Sequence, residues 1–411
     1  VLRQRHGNER VEGMSGVIDR EIRITEGATG KMATGSVVRI ADTCTVGSIA
    51  RTADGSAMKT VSGSMVKSAA DSMENTVDVS MVKTADDSVV GTAGASVVIG
   101  VDVGGTKVAT GLVNSEGKIL AEINEALEAS EDDPEITILQ VVRHIRTICA
   151  EAGLEKIPPI GVGIPAVVSR EDGVVIWTPN IPAWRDLPLC SRLSRHLGTT
   201  DISIDFDGNT AVLAEAWIGA GRGKKNVVCL IIGTGVGSGY VLEGRLYRGS
   251  SYIPGAVGWW ALDPELVPEA MSRRIPSFES LCSGPSLIRI ANERADRVKG
   301  AKRYPDTYAL FAGYDEGEPG AVEVLNRAIS YVGMGCANLV TAFNPDVLVI
   351  GGGIGLEYCR RPKLYGEICK TVNNISQPIA AQHVKIVPAE LGRVAGMVGA
   401  AKLAFDDFGY Q

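Results

Sequence analysis

Residues 96–122 read SVVIGVDVGGTKVATGLVNSEGKILAE. An apolar run to Val103 is broken by Gly104-Gly105-Thr106-Lys107, and a second apolar run follows. Ser115-Glu116-Gly117-Lys118 then turns the chain into a third run. Short apolar runs bounded by turn residues read as strands, so this stretch predicts strand, glycine turn, strand, hairpin turn and strand. Residues 226–249, NVVCLIIGTGVGSGYVLEGRLYRG, repeat the same order. A pattern that occurs twice predicts two related lobes.

Between and beyond the repeats, strands alternate with helices. DDPEITILQVVRHIRTICAEAGL (132–154) predicts a helix opening behind Asp132, Asp133 and Pro134, with Leu139, Val142, Ile145 and Cys149 at helical spacing. PIGVGIPAVV (159–168) reads as a strand. DISIDFDGNTAVLAEAWIGAGRG (201–223) reads as a strand running into a helix from about Thr210. NPDVLVIGGGIG (344–355) is a further buried strand ending in glycines. This alternation argues an α/β protein.

A chain of 411 residues suits two or three domains. The expected boundaries are an N-terminal lobe at 96–217 and a C-terminal lobe at 218–411, whose last helix, about 391–407, packs back on the first lobe. Ahead of them, serine recurs every eighth residue at Ser48, Ser56, Ser64, Ser72, Ser80, Ser88 and Ser96. Large apolar side chains are sparse there, so little burial offsets the ordering entropy of roughly 1–2 kcal/mol per residue. Residues 1–95 therefore read as a Ser/Thr-rich low-complexity extension in preference to a small solenoid, and carry no catalytic part.

The composition, 45% hydrophobic and 22% charged, is that of a globular protein. The net charge of −7 argues against nucleic acid or an acidic membrane as partner. No apolar run approaches the ~20 residues of a membrane span. The N-terminus lacks the apolar core of a signal peptide. The eight cysteines are scattered with no CxxC pair, as in reduced proteins, which points to the cytoplasm.

Glycines at a strand–strand turn let backbone N–H groups approach a phosphate with no Cβ in the way. Gly104, Gly105, Thr106 and Lys107 form one such loop, with Asp102 at the strand end able to hold magnesium through water. Gly233, Thr234, Gly235 and Gly237 form a second, and Gly351, Gly352 and Gly353 close a third strand. No GxxxxGK[ST] is present, and a strand follows Gly105 where a dinucleotide fingerprint needs a helix.

With DVGGTK (102–107), GVGIPAVV (161–168), TPNIPAW (178–184), DFDGN (205–209), GTGVGSG (233–239), SFESLCSGPSL (277–287) and NPDVLVIGGG (344–353), the chain after about residue 97 resembles the ROK family of repressors and sugar kinases. The resemblance implies a two-lobed actin/hexokinase-like, ribonuclease H-like α/β fold. It implies an ATP- and Mg2+-dependent kinase that phosphorylates a primary hydroxyl, O6, of a glucose-like or amino hexose. Asp207 falls at the family's catalytic aspartate, where a carboxylate accepts the proton of a weakly nucleophilic hydroxyl. The structural alternative is a capping aspartate ahead of a helix. Asp205 is its neighbour, and Phe206 replaces an asparagine that helps hold the sugar. Asn180 matches a sugar-hydroxyl contact, with a turn residue after Pro179 as the alternative. Glu215 matches a family glutamate, against a solvated helix face.

In the family, Glu-x-Gly-His and a cysteine cluster bind a structural zinc. Here the first motif reads Ala256-Val257-Gly258-Trp259, and of the last Cys-x-Glu only Glu279 survives. The tetrahedral ligand set is missing, so no structural metal is expected. His6, His144, His196 and His383 read as surface or cap residues. Trp259 and Trp260 then replace the metal with apolar packing, one pinning the loop and the other flooring the sugar pocket, and Trp259 and Glu279 are expected among the sugar-binding residues. Two core fillers without ligand contact is the alternative. The family also contains sugar-responsive repressors, which need a winged helix ahead of the first loop where this chain has the serine repeat. A sugar-binding protein without turnover is a third reading. The expected partners are sugar and ATP, with a homodimer allowed and neither nucleic acid nor membrane.

Overall fold

The computed structural model describes residues 96–178, 181–266 and 277–409. The serine repeat and Asn180 lie outside the described residues. The quoted stretch forms β1 (Val97–Val103), β2 (Lys107–Asn114) and β3 (Ile119–Ala126), an antiparallel meander. β4 (Ile160–Ile164) and β7 (Ile202–Phe206) then add in parallel to β1, giving the order β3-β2-β1-β4-β7. β5 (Val167–Ser169) and β6 (Val174–Trp177) make a separate hairpin.

β8 (Val227–Ile232), β9 (Val236–Leu242) and β10 (Arg245–Leu246) repeat the meander. β11 (Val347–Gly351) and β12 (Lys385–Pro388) add in parallel to β8, giving β10-β9-β8-β11-β12. The two sheets share one topology, which accounts for the repeated sequence pattern.

Both faces of β1 are covered, which explains its unbroken apolar run. Ile99, Val101 and Val103 face the core under the helix Glu135–Glu151. Val98 faces Ala401 and Ala404 of the C-terminal helix Ala395–Phe408. That helix lies so close that a Cβ at Gly100 would meet the Met397 carbonyl at 2.0 Å, and one at Gly161 the Ala400 carbonyl at 1.8 Å. The second core forms between β8, β9, β11 and the long helix Pro319–Phe343.

The helix Glu135–Glu151 opens after Pro134, with the Asp133 side chain accepting the Glu135 amide hydrogen at 2.9 Å. Its buried stripe contains Ile138, Val142, Ile145 and Cys149, whereas Leu139 is exposed. The helical spacing was right and the choice of Leu139 was one residue off the stripe. His144 also departs from the surface or cap reading. It is buried, 3.0 Å from Glu125 and 3.3 Å from Thr110 Oγ1. Its burial depresses its pKa, and Glu125 opposes that. No described helix is long and apolar enough to cross a membrane.

Candidate active site

β1, β4 and β7 run parallel, and their carboxyl ends meet at one edge, with Asp102 paired to Gly163 and Gly163 to Asp205. Open α/β sheets place ligands at that edge. Asp102 is the penultimate residue of β1 there. The helix that follows β7 spans Asp207–Trp217, three residues earlier than the expected start at Thr210. Asp207 is thus a first-turn residue and not a cap. Its Oδ1 accepts the adjacent Gly208 amide hydrogen at 2.7 Å.

Burial pushes the Asp207 carboxyl up to about 6, against the pull of backbone amides. Burial pushes Asp102 up to about 7, and the negative charge of Asp207 adds to that. Asp102 would hold an oxygen-ligated hard cation through water, which would offset negative charge there. Among the described residues no three His, Cys, Asp or Glu side chains gather into a metal cage.

Asp205 serves another purpose. It is fully buried and accepts from Arg248 Nε at 2.7 Å and Asn209 Nδ2 at 2.7 Å, with Arg170 Nε at 3.5 Å. Arg170 also pairs with Asp407 on the C-terminal helix. Neither arginine was singled out in the sequence. The only signal was a strand-end aspartate that burial would leave in need of a cation.

The first half of β9 gathers the other side of the cleft. The Phe206 ring lies 3.7 Å from where a Cβ at Gly237 would stand. Gly255 accepts the Ser238 amide hydrogen at 2.8 Å, which brings Gly255–Trp259 alongside. Glu279 accepts the Val236 amide hydrogen at 2.9 Å and stands 3.3 Å from a Cβ built at Gly258. Burial raises its pKa.

The tryptophans divide differently from the sequence expectation of two buried rings. Trp260 is part-buried and stacks on Phe278, with centroids 6.5 Å apart and planes 15° apart. Trp259 is 53% exposed and cannot serve as a core staple. Glu215 departs from a solvated helix face, being 1% exposed and bonded to three backbone amides.

A cavity of about 1210 Å³ lies at the ends of β8 and β11 in the second sheet. Its walls include Gly233, Thr234, Gly352 and Gly353, so the second glycine loop and the β11 strand end meet on one space. Gly352 holds φ at +77°, and a Cβ there would meet the Ile232 carbonyl at 2.3 Å, which only glycine avoids. Ile288, Phe311 and Leu356 give the cavity an apolar side, and Arg289, Arg360 and Arg393 a cationic one. Gly351 is buried within β11, and Gly235 and Gly237 stand at the onset of β9. The first loop is a tight turn closed by Gly104 N–H to the Lys107 carbonyl at 2.8 Å. Gly104, Gly105, Thr106 and Lys107 are not among the cavity walls.

The family model described as ROK family matches residues 98–407. The chain is 30% identical over 323 residues to the glucokinase of Thermotoga maritima, covering 76% of this chain and 98% of that protein. It is 30% identical over 315 residues to the N-acetyl-D-glucosamine kinase of Photobacterium profundum, covering 74% of this chain and 98% of that one. In structure it is similar to a ROK family glucokinase from Streptomyces griseus in complex with glucose and AMPPNP. That match has a TM-score of 0.63 and 26% identity, and covers 76% of this chain and 100% of that one.

Proposed function

The chain belongs to the ROK family and is an ATP-dependent sugar kinase, and from that premise we propose that it phosphorylates a hexose at O6 with Asp207 as general base. The observation that carries this reading is the Asp207 carboxyl at the strand-end edge, set at about 6 beside Asp102. A base poised near the working pH is ionised in the resting enzyme and still basic enough to take a hydroxyl proton. With Oδ1 engaged by the Gly208 amide, the proton is received on Oδ2. The sugar oxygen then attacks the terminal phosphorus of ATP while the bond to the ADP oxygen breaks.

Magnesium, when bound with ATP, offsets charge on the transferring phosphoryl group, and Asp102 is the residue that would hold it through water. Gly233, Thr234, Gly352 and Gly353 approach the phosphates from the cavity, while Ile288, Phe311 and Leu356 cover the adenosine. Gly104, Gly105, Thr106 and Lys107 meet the terminal phosphate from the first lobe. Asn180, Glu279 and Trp259 hold the sugar, the exposed indole offering its face to a pyranose ring. Glucose and N-acetylglucosamine, the sugars in the names of the relatives, are the first substrates to try. A coupled ADP-release assay over hexoses, hexosamines and N-acetylhexosamines should find turnover on at least one, with the product phosphorylated at O6. Phosphorylation at O1, or no turnover on any hexose, contradicts the reading.

A further inference from the structure

Glu215 lies two turns along the helix that Asp207 begins, and its charged end is buried. Oε2 accepts the amide hydrogens of Ala220 at 2.9 Å and Glu390 at 3.2 Å, and Oε1 that of Leu391 at 2.9 Å. The first of these closes the turn after its own helix. The other two belong to a strap far away in sequence, between β12 and the C-terminal helix.

That strap continues directly into Gly392 and Arg393, which are walls of the nucleotide cavity. Arg393 is steadied from the other side by Glu122 of β3, at 3.4 Å. Three residues further on, a Cβ at Gly396 would stand 2.5 Å from the Asp102 carboxyl. One carboxylate therefore ties the helix carrying Asp207 to the segment that walls the cavity and then reaches Asp102. A buried polar side chain is costly unless such hydrogen bonds satisfy it, so its presence calls for what it holds.

We propose that Glu215 is a positioning residue that fixes the Gly392–Arg393 wall of the nucleotide cavity relative to Asp207. This rests on the kinase reading above. Glutamine in its place carries one acceptor oxygen and a donor-only nitrogen, so at least one of the three amides loses its partner and the strap shifts. Nucleotide binding should suffer and sugar binding should not.

The test compares wild type with Glu215→Gln, Gly219→Ala and the core control Ile145→Val. A methyl group at Gly219 would fall 2.2 Å from Glu215 Oε2, displacing the side chain without changing its chemistry. The measurements are calorimetric Kd for a non-hydrolysable ATP analogue, and KM for ATP and for sugar. Both Glu215→Gln and Gly219→Ala should weaken nucleotide binding by about tenfold or more, as for loss of hydrogen bonds to a charged group. Sugar KM should stay within about twofold, and Ile145→Val, a loss of core packing alone, should change neither constant. A nucleotide Kd within about twofold of wild type in folded Glu215→Gln, or in Gly219→Ala if that variant does not fold, overturns the proposal. A wild type that binds nucleotide and transfers nothing to any hexose defeats the kinase reading instead, and the Kd comparison still decides the role of Glu215.

Discussion

The carboxyl of Asp102 stands at the end of β1 and that of Asp207 opens the helix after β7, and the charge on Asp207 adds to the burial that lifts Asp102 to about 7. Asp207 itself stands at about 6. If Asp207 must be ionised to accept a proton, kcat/KM should fall as pH drops through about 7 to 6. A rate profile flat down to pH values near 4 would contradict this.

The same pair predicts a stability trade-off. An unfolded aspartate titrates near 3.8, whereas folded Asp102 titrates at about 7, so its ionisation destabilises the folded state. The penalty accumulates as pH rises between those values and is constant above them. Asp102→Asn should therefore be more stable than wild type at pH ~8 by about 1–3 kcal/mol, allowing for screening by cleft water. At pH ~4 the gain should vanish. Thermal melts at the two pH values check it, and a variant destabilised at high pH would contradict the assignment.

The adjacent tryptophans should respond unequally. Trp260, stacked on Phe278, should cost about 2–3 kcal/mol as Trp260→Ala, less than a fully buried ring. Trp259, half in solvent, should cost under about 1 kcal/mol as Trp259→Ala while raising sugar KM. A zinc-selective chelator, with Mg2+ kept in excess, should leave both the melting temperature and turnover unchanged. Equal stability losses, or stoichiometric zinc in the purified protein, would contradict this account of the loop.

Gly352→Ala forces a side chain into a left-handed backbone and against the Ile232 carbonyl. Strain of about 1–3 kcal/mol is expected, read as a lower melting temperature and weaker binding of an ATP analogue. Unchanged nucleotide affinity would remove this strand end from the site.

Local pattern made much of this legible. The two meanders follow from apolar period and turn chemistry, which act within a few residues, and both glycine loops appeared where expected. What failed was non-local. Asp205 finds Arg248 from 43 residues away, and no spacing rule announces that pair. Glu215 reads equally as a family glutamate or a solvated helix residue in sequence, because its partners Glu390 and Leu391 are brought to it by tertiary packing. His144 sat on a helix whose inward face depends on the sheet it covers. Two consecutive tryptophans cannot be ranked by burial from sequence, since adjacent residues of a loop point in different directions. The family resemblance implies the role proposed for Asp207, and the geometry supplied its environment.

Asp207→Asn, which keeps shape and removes the proton acceptor, tests the central claim most directly. Single-turnover transfer from ATP to the best hexose should slow by about 10²–10⁴-fold, with the sugar Kd within about threefold of wild type. Transfer at a near-wild-type rate in a correctly folded Asp207→Asn protein would contradict the account.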